Sequence, residues 1–281
     1  MMRISQPARA RARSVTVTVL LSALAFVYLI PLMWVLATSL KTNANLFNAN
    51  QILPDPITFD HYQKLFDYLP DLWRYVWNTF RIAGLSTVGQ LLSCSMAGYA
   101  LARLRFPGRA LILVLLLLTL MVPGQVTIIP IYVLFRELHW INTPWALIVP
   151  AFFGNAFATF FFRQFFVNIP REVEEAAILD GASRFRLYWN IAVPMAKPAF
   201  LALGALTFVG QWNGFFAPTI FLQTPDQWVL TQALNSLLGR YLSQWGEVMA
   251  GVVLMSLPMI VLYAFIQRYL IEGVTFNGVK G

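Results

Sequence analysis

The residues best equipped for chemistry crowd one short stretch, 169–194. It reads Ile-Pro-Arg-Glu-Val-Glu-Glu-Ala-Ala-Ile-Leu-Asp-Gly-Ala-Ser-Arg-Phe-Arg-Leu-Tyr-Trp-Asn-Ile-Ala-Val-Pro. Four carboxylates (Glu172, Glu174, Glu175, Asp180) lie there between guanidiniums, Arg171 before them and Arg184 and Arg186 after, in a chain only 11% charged. Ile178, Leu179, Phe185, Leu187 and Trp189 add apolar contact surface, and Ala176 and Ala177 are small enough for another backbone to come close. On composition alone, a solvated interfacial loop of mixed charge is the simpler reading. A second set consists of amides within apolar runs: Gln90, Gln125, Asn155, Gln211 and Asn213, with Trp212 beside them. Polar groups within apolar runs are costly and often functional: amides hydrogen-bond hydroxyl groups, and an indole face offers a stacking surface. Interhelical hydrogen bonding and packing is the competing account.

Enzyme chemistry finds little support. His61 and His139 are the only histidines, and without cysteines or clustered carboxylates they make no convincing metal site. The single cysteine, Cys94, lies in an apolar run. HExxH, GxSxG and CxxC patterns are absent, as is the nucleotide-binding pattern GxxxxGK[ST].

The elements that hold the polar stretch are two short helices. Pro170 suits a first helical position, and the glutamates that follow favour the positive end of a helix dipole. Gly181 is placed to end that helix in a left-handed conformation. Ser183 can cap a second helix, which Pro194 is expected to stop. Val173, Ala177 and Asp180 share a face by their i, i+4, i+7 spacing.

Around this stretch the chain is built for lipid. It is 58% hydrophobic, and its charged fraction falls far below the roughly 25% of soluble domains. A bilayer core of about 30 Å needs about 20 apolar residues in a helix. Six charge-free runs meet that length: 14–40, 82–102, 110–135, 140–162, 198–225 and 248–267. Backbone groups in lipid must be satisfied locally, so helices are expected. The run at 14–40 is longer than the apolar core of a signal peptide and is read as a retained span. Ser93/Ala97 and Cys94/Gly98 in the second run are small-residue pairs that let helices approach closely. Prolines at 31, 123, 150, 218 and 258 fall inside the other five runs, where they bend helices.

Basic residues orient the spans. With a cytoplasmic N-terminus, fourteen of the 20 Lys and Arg fall inside and five outside, while Arg81 snorkels at the outer end of the second run. Trp34, Trp73, Trp77, Trp140, Trp145, Trp228 and Trp245 then gather at or beyond the outer ends. The same rule accounts for the net charge of +8 without nucleic acid as a partner.

The spacing Glu175-Ala176-Ala177, three residues, Gly181, nine residues, Ile191, then Pro194 resembles the EAA motif of binding-protein-dependent ABC importers. A chance match somewhere in the chain has a probability of about 10⁻⁵. Val193 stands where the family usually has Leu. From about residue 70 to 281 the chain is similar to MalG-type permeases of carbohydrate importers. Supporting stretches are Tyr99-Ala-Leu-Ala-Arg-Leu-Arg-Phe-Pro-Gly108, Phe162-Arg-Gln-Phe-Phe166, Gly210-Gln-Trp-Asn213 and the ending Gly278-Val-Lys-Gly281.

The resemblance implies an all-α integral membrane fold with six transmembrane helices and a cytoplasmic coupling helix-turn-helix between spans four and five. Residues 1–69 hold the N-terminal tail, first span and outer loop, and 70–281 the transmembrane core. Glu175, Ala176, Ala177 and Gly181 are expected to meet a partner ATPase, flanked by Glu174, Asp180 and Arg184. The implied partners are ATP-binding subunits as a pair, a second MalF-type permease, an extracytoplasmic solute-binding protein and membrane lipid. ATP and Mg belong to the ATPase; this chain is expected to bind no cofactor and to catalyse nothing itself. The implied location is a bacterial or archaeal cytoplasmic membrane with both termini inside. The loop 223–245 is expected to reach towards the external binding protein. Saccharides are the commonest substrates of such permeases, with glycerol-3-phosphate and polyols carried by close relatives. The competing function is a secondary transporter, against which the absence of Asp and Glu within the spans argues.

Overall fold

Long apolar runs dictate helices, and helices are the only regular structure among the described residues of the computed structural model, 6–48, 51–240 and 244–275. In chain order they are α1 (Gln6–Ser39), α2 (Asp60–Tyr68), α3 (Leu72–Arg103), α4 (Arg109–Thr119), α5 (Gly124–Glu137), α6 (Trp145–Ile148), α7 (Ala156–Val167), α8 (Arg171–Leu179), α9 (Arg184–Leu187), α10 (Val193–Met195), α11 (Lys197–Trp212), α12 (Phe216–Phe221), α13 (Leu230–Arg240) and α14 (Trp245–Thr275). The ending Gly278-Val-Lys-Gly281 lies outside the described residues.

Among the described residues, three segments are long and apolar enough to cross a membrane: Arg13–Ser39, Trp145–Val167 and Trp245–Phe265. Two bent pairs raise the number to five if each is one span. The run at 110–135, expected as one helix, is instead α4 and α5, bent by 101°. Pro123 explains the break, because it lacks an N–H and stands immediately before α5 with extended backbone. At 1.5 Å per residue neither piece reaches 30 Å. The other pair joins Arg184–Met195 to Lys197–Trp212 at 75°.

The chain divides into two units. The first comprises Met1–Pro70 and Leu234–Ser256. Here Leu65 is fully buried, Ser39 Oγ lies 2.9 Å from Tyr62 Oη, and Lys41 donates to the Gln51 carbonyl. His61, also buried, places Nδ1 3.4 Å from Glu247 Oε1. Gly246 makes room for it, since a Cβ there would overlap the imidazole. The span portion of α1 is exposed along most of its length and is buried only at its end, at Thr38 and Ser39.

The second unit, Asp71–Ala233 and Leu257–Gly281, is organised around α3. This helix packs along α7 and α11. Gly98 is the point of closest approach: a Cβ there would lie 2.8 Å from Phe162 Cβ and 2.9 Å from both Arg163 N and Thr159 O. Cys94, Tyr99, Ala158, Phe162, Phe166, Tyr188, Ala192, Ala199 and Leu203 form the core at this level. Of the two small-residue pairs, Cys94/Gly98 therefore faces α7. Ser93 reaches across differently, donating to the Ala151 carbonyl at 3.2 Å, while Ala97 is exposed.

Candidate functional site

The polar stretch folds as α8, a tight turn and α9. Pro170 stands just before α8 rather than at its first residue, which is Arg171. Glu172 and Glu174 occupy the first turn, where carboxylates offset the helix dipole. At the other end Gly181 adopts φ +81°. Its N–H bonds the Ile178 carbonyl at 3.0 Å and the Ala182 N–H bonds the Ala177 carbonyl at 2.9 Å. This pair of bonds is the Schellman closure that a glycine in the left-handed region makes possible. Ser183 Oγ then accepts from the Arg186 N–H at 3.3 Å and caps α9. Few degrees of freedom remain in the turn, so the two helices are held as one body.

Pro194 does not stop α9. The chain continues through a π turn, Tyr188–Ala192, into α10, and bends only at Ala196. In a regular α-helix the proline ring would strike the carbonyl four residues back. The wider turn just before it carries the bond from Val193 N–H to the Tyr188 carbonyl.

Glu175, Ala176, Asp180, Gly181 and Arg184 face outwards, and Ala177 is half-buried. Leu179 is 89% exposed, and Ile178, Phe185 and Trp189 are exposed with it. Leu187, expected on the same apolar surface, is instead fully buried. Glu174 also departs from its expected flanking position on the outer surface. It turns inwards, and its Oε1 sits 3.2 Å from Arg103 Nε with both side chains more than nine-tenths buried. The reason is electrostatic: Arg103 closes the C-terminal end of α3, and a buried cation demands an anion. Arg103 also donates through Nη2 to the Ile169 carbonyl. In the sequence Arg103 counts towards membrane orientation and stands in the stretch 99–108 of the family resemblance, and its pairing is not read there. A cation immediately after the charge-free run 82–102, with glutamates in the polar stretch 169–194, was the available signal.

The amide candidates separate. Asn155 is a helix cap: its Oδ1 accepts from the Ala158 N–H at 3.0 Å where the chain restarts after Gly154. Trp212 is 1% exposed and stacks on Phe208 with centroids 5.8 Å apart, so its faces are not offered to a solute. Gln90 Nε2 bonds Thr207 Oγ1 at 3.2 Å between α3 and α11, the interhelical alternative. Gln125 is exposed and Gln211 half-buried. Asn213 is exposed, its Nδ2 donating to the Val209 carbonyl. The structure does not bring these amides together into one site.

At the opposite end of α3 the segment 222–232 is fastened down. Asn78 Nδ2 donates to the carbonyls of Asp226 and Trp228, both at 3.0 Å, and Thr79 Oγ1 accepts from the Leu230 N–H at 2.8 Å. Asn142, at φ 61°, gathers the Gln223 and Thr224 N–H groups onto its Oδ1. Donation from the Thr224 hydroxyl and then from the Gln227 amide holds the Asp226 carboxyl below the usual carboxylate range.

An all-helical fold with several apolar passes and a rigid polar helix pair between two of them defines a membrane permease. Residues 89–275 match the family described as binding-protein-dependent transport system inner membrane component, and the chain belongs to it. It is 34% identical to the arabinooligosaccharides transport system permease protein AraQ of Bacillus subtilis (strain 168), over 95% of this chain and 96% of that one. It is 31% identical to the lactose transport system permease protein LacG of Rhizobium radiobacter, over 90% and 92% respectively. A solved chain of a bacterial ABC transporter that imports the acidic polysaccharide alginate shares the fold, with a TM-score of 0.79, 23% identity and coverage of 96% of this chain and 99% of that one.

Proposed function

We propose that this chain is one of two permease subunits of an ATP-binding-cassette importer and passes a saccharide or related polyol into the cytoplasm. It crosses the membrane six times with both termini inside. α3 is the sixth pass beside the three long spans and the two bent pairs. Its small and hydroxyl residues lower its hydropathy because it faces other helices rather than lipid. ATP and Mg are held by a separate pair of ATP-binding subunits. This chain binds no cofactor and performs no catalysis, and an extracytoplasmic solute-binding protein delivers the substrate. The saccharide class is supported by the names of the relatives. Gln125, Gln211 and Asn213 are the amides left to meet hydroxyl groups along the path.

The observation that carries the reading is the α8–turn–α9 body. Glu175, Ala176, Asp180, Gly181 and Arg184 lie on its outer surface beside uncovered Leu179 and Phe185. Exposed apolar side chains ringed by charge are the usual mark of a docking surface. Gly181→Asp tests it. Aspartate visits the left-handed region, and a Cβ at this position meets nothing within 4 Å inside the chain. The variant should therefore reach the membrane in normal amount and lose ATP-driven uptake. Normal uptake at normal expression refutes the docking assignment. Mass spectrometry of the subunits that co-purify in mild detergent tests the partners: a chain recovered alone refutes them.

A further inference from the structure

We propose that Arg103 and Glu174 form the internal linkage through which α3 follows the α8–α9 body, an inference that rests on the importer reading. The pair joins opposite dipole ends of two helices: a cation at the C-terminus of α3 and a carboxylate in the first turn of α8. Its exposure is 5% for Arg103 and 8% for Glu174, so solvent screening is weak. Arg103 Nε and Glu174 Oε1 make no hydrogen bond among the described residues, so the two are held to each other by charge. Arg103 also holds the Ile169 carbonyl, two residues ahead of α8.

The same helix grips the far side of the body. Ser95 Oγ lies 2.7 Å from Tyr188 Oη, just beyond α9. Tyr99, one turn before Arg103, packs its ring on Phe166 and on Tyr188, with centroids 5.5 and 5.4 Å away. Both ends of the α8–α9 body are thus tied to three residues spaced at helical turns on α3. A push delivered to Leu179, Phe185 or Gly181 has to move α3. The outer end of α3 holds the segment 222–232 through Asn78 and Thr79, so the displacement reaches that segment about 37 Å away, at 1.5 Å per residue. Glu174 is a positioning residue here, and the partner contact falls to Glu175 and its exposed neighbours.

The test uses the assembled transporter in proteoliposomes with its own ATPase, second permease and binding protein. Variants are Glu174→Gln, Arg103→Gln, Arg103→Lys and the exchange Arg103→Glu with Glu174→Arg. ATP hydrolysis is measured with and without binding protein, alongside uptake of lactose and arabinotriose. The linkage requires that Glu174→Gln keep basal hydrolysis within about twofold while stimulation by the binding protein falls about fivefold or more. The exchange should recover at least about half of that stimulation. If Glu174→Gln does not assemble, Arg103→Lys carries the test: it keeps the charge but loses the fork that reaches Ile169, and its stimulation should fall by more than about twofold. Stimulation within about twofold of the unmodified transporter in whichever variant carries the test overturns the proposal, as does an exchange no better than the single changes. If the unmodified transporter hydrolyses ATP but takes up neither sugar, the saccharide reading fails on its own, and the linkage is still decided by the hydrolysis ratio.

Discussion

Gly84 and Gly98 lie in the same helix and should respond to the same substitution in opposite directions. A Cβ at Gly84 meets nothing within 4 Å. Alanine there gains only helix propensity, about 0.5–1 kcal/mol. At Gly98 the new methyl would sit 2.8–2.9 Å from Phe162 Cβ and from the backbone of Arg163 and Thr159. Backbone atoms of a packed helix cannot rotate away as a side-chain tip can, so α3 and α7 have to separate. Overpacking of this kind costs about 1–3 kcal/mol. Set against the propensity gain, the net loss for Gly98→Ala lies between about 0 and 2.5 kcal/mol, with a central value of about 1 kcal/mol. For a chain of this size that central value lowers the melting temperature by roughly 2–4 °C. Gly98→Val adds a branch in the same space and should fall further. The assay is thermal unfolding of the full chain in one detergent, followed by tryptophan fluorescence. If Gly98→Ala melts at or above the unmodified protein while Gly84→Ala is neutral, the close approach of α3 and α7 is wrong.

Other consequences follow from single contacts. Ser183→Ala removes the cap of α9 and should cost about 0.5–2 kcal/mol, visible as faster hydrogen exchange at the Arg186 amide. Unchanged exchange would remove the cap. Asn142→Ala should destabilise more than Asn142→Gly, because both lose the two backbone N–H bonds to Oδ1 but alanine adds about 1–2 kcal/mol of strain at φ 61°. Equal melting temperatures would contradict that conformation. The depressed Asp226 carboxyl contributes its stabilisation above the unfolded carboxylate value and loses it as pH falls through the lower, folded one. Nuclear magnetic resonance shifts of Thr224 and Gln227 should therefore report a transition at a lower pH than that of an unperturbed carboxylate. Asp226→Asn should abolish the transition, and a transition surviving that change would assign it elsewhere.

How much of this was legible in the sequence differs by residue. The α8–turn–α9 body was readable because its signals are local: a glycine that has to take positive φ, a serine able to cap, glutamates in a first turn. Each acts within about five residues and needs no tertiary information. The fate of Trp212 and Asn155 was not readable. Both stand in apolar runs where a polar group signals function or packing alike, and the choice is made by a neighbour, Phe208 in one case and the restarted α7 backbone in the other. Pro194 misled for a related reason. Proline forbids one hydrogen bond but leaves open whether the helix ends or widens, and here it widens. The 101° break at Pro123 shows the other resolution of the same constraint.

The inward turn of Glu174 carries a wider argument about what its paired glutamates do. Adjacent residues on a helix project about 100° apart, so Glu174 and Glu175 cannot serve one surface. One is drawn to Arg103 because a guanidinium buried at the end of α3 is far costlier unpaired than paired. Its neighbour is then obliged to point outwards, where it lies beside Ala176, the small exposed residue of the same helix. The doublet therefore divides its labour by geometry alone: one carboxylate orients the helix against the protein, and that orientation aims the other at the partner. Moving the doublet one residue on, to 175 and 176, would place both carboxylates at exposed positions and leave Arg103 buried without its anion, which leaves little freedom in how this segment can be written.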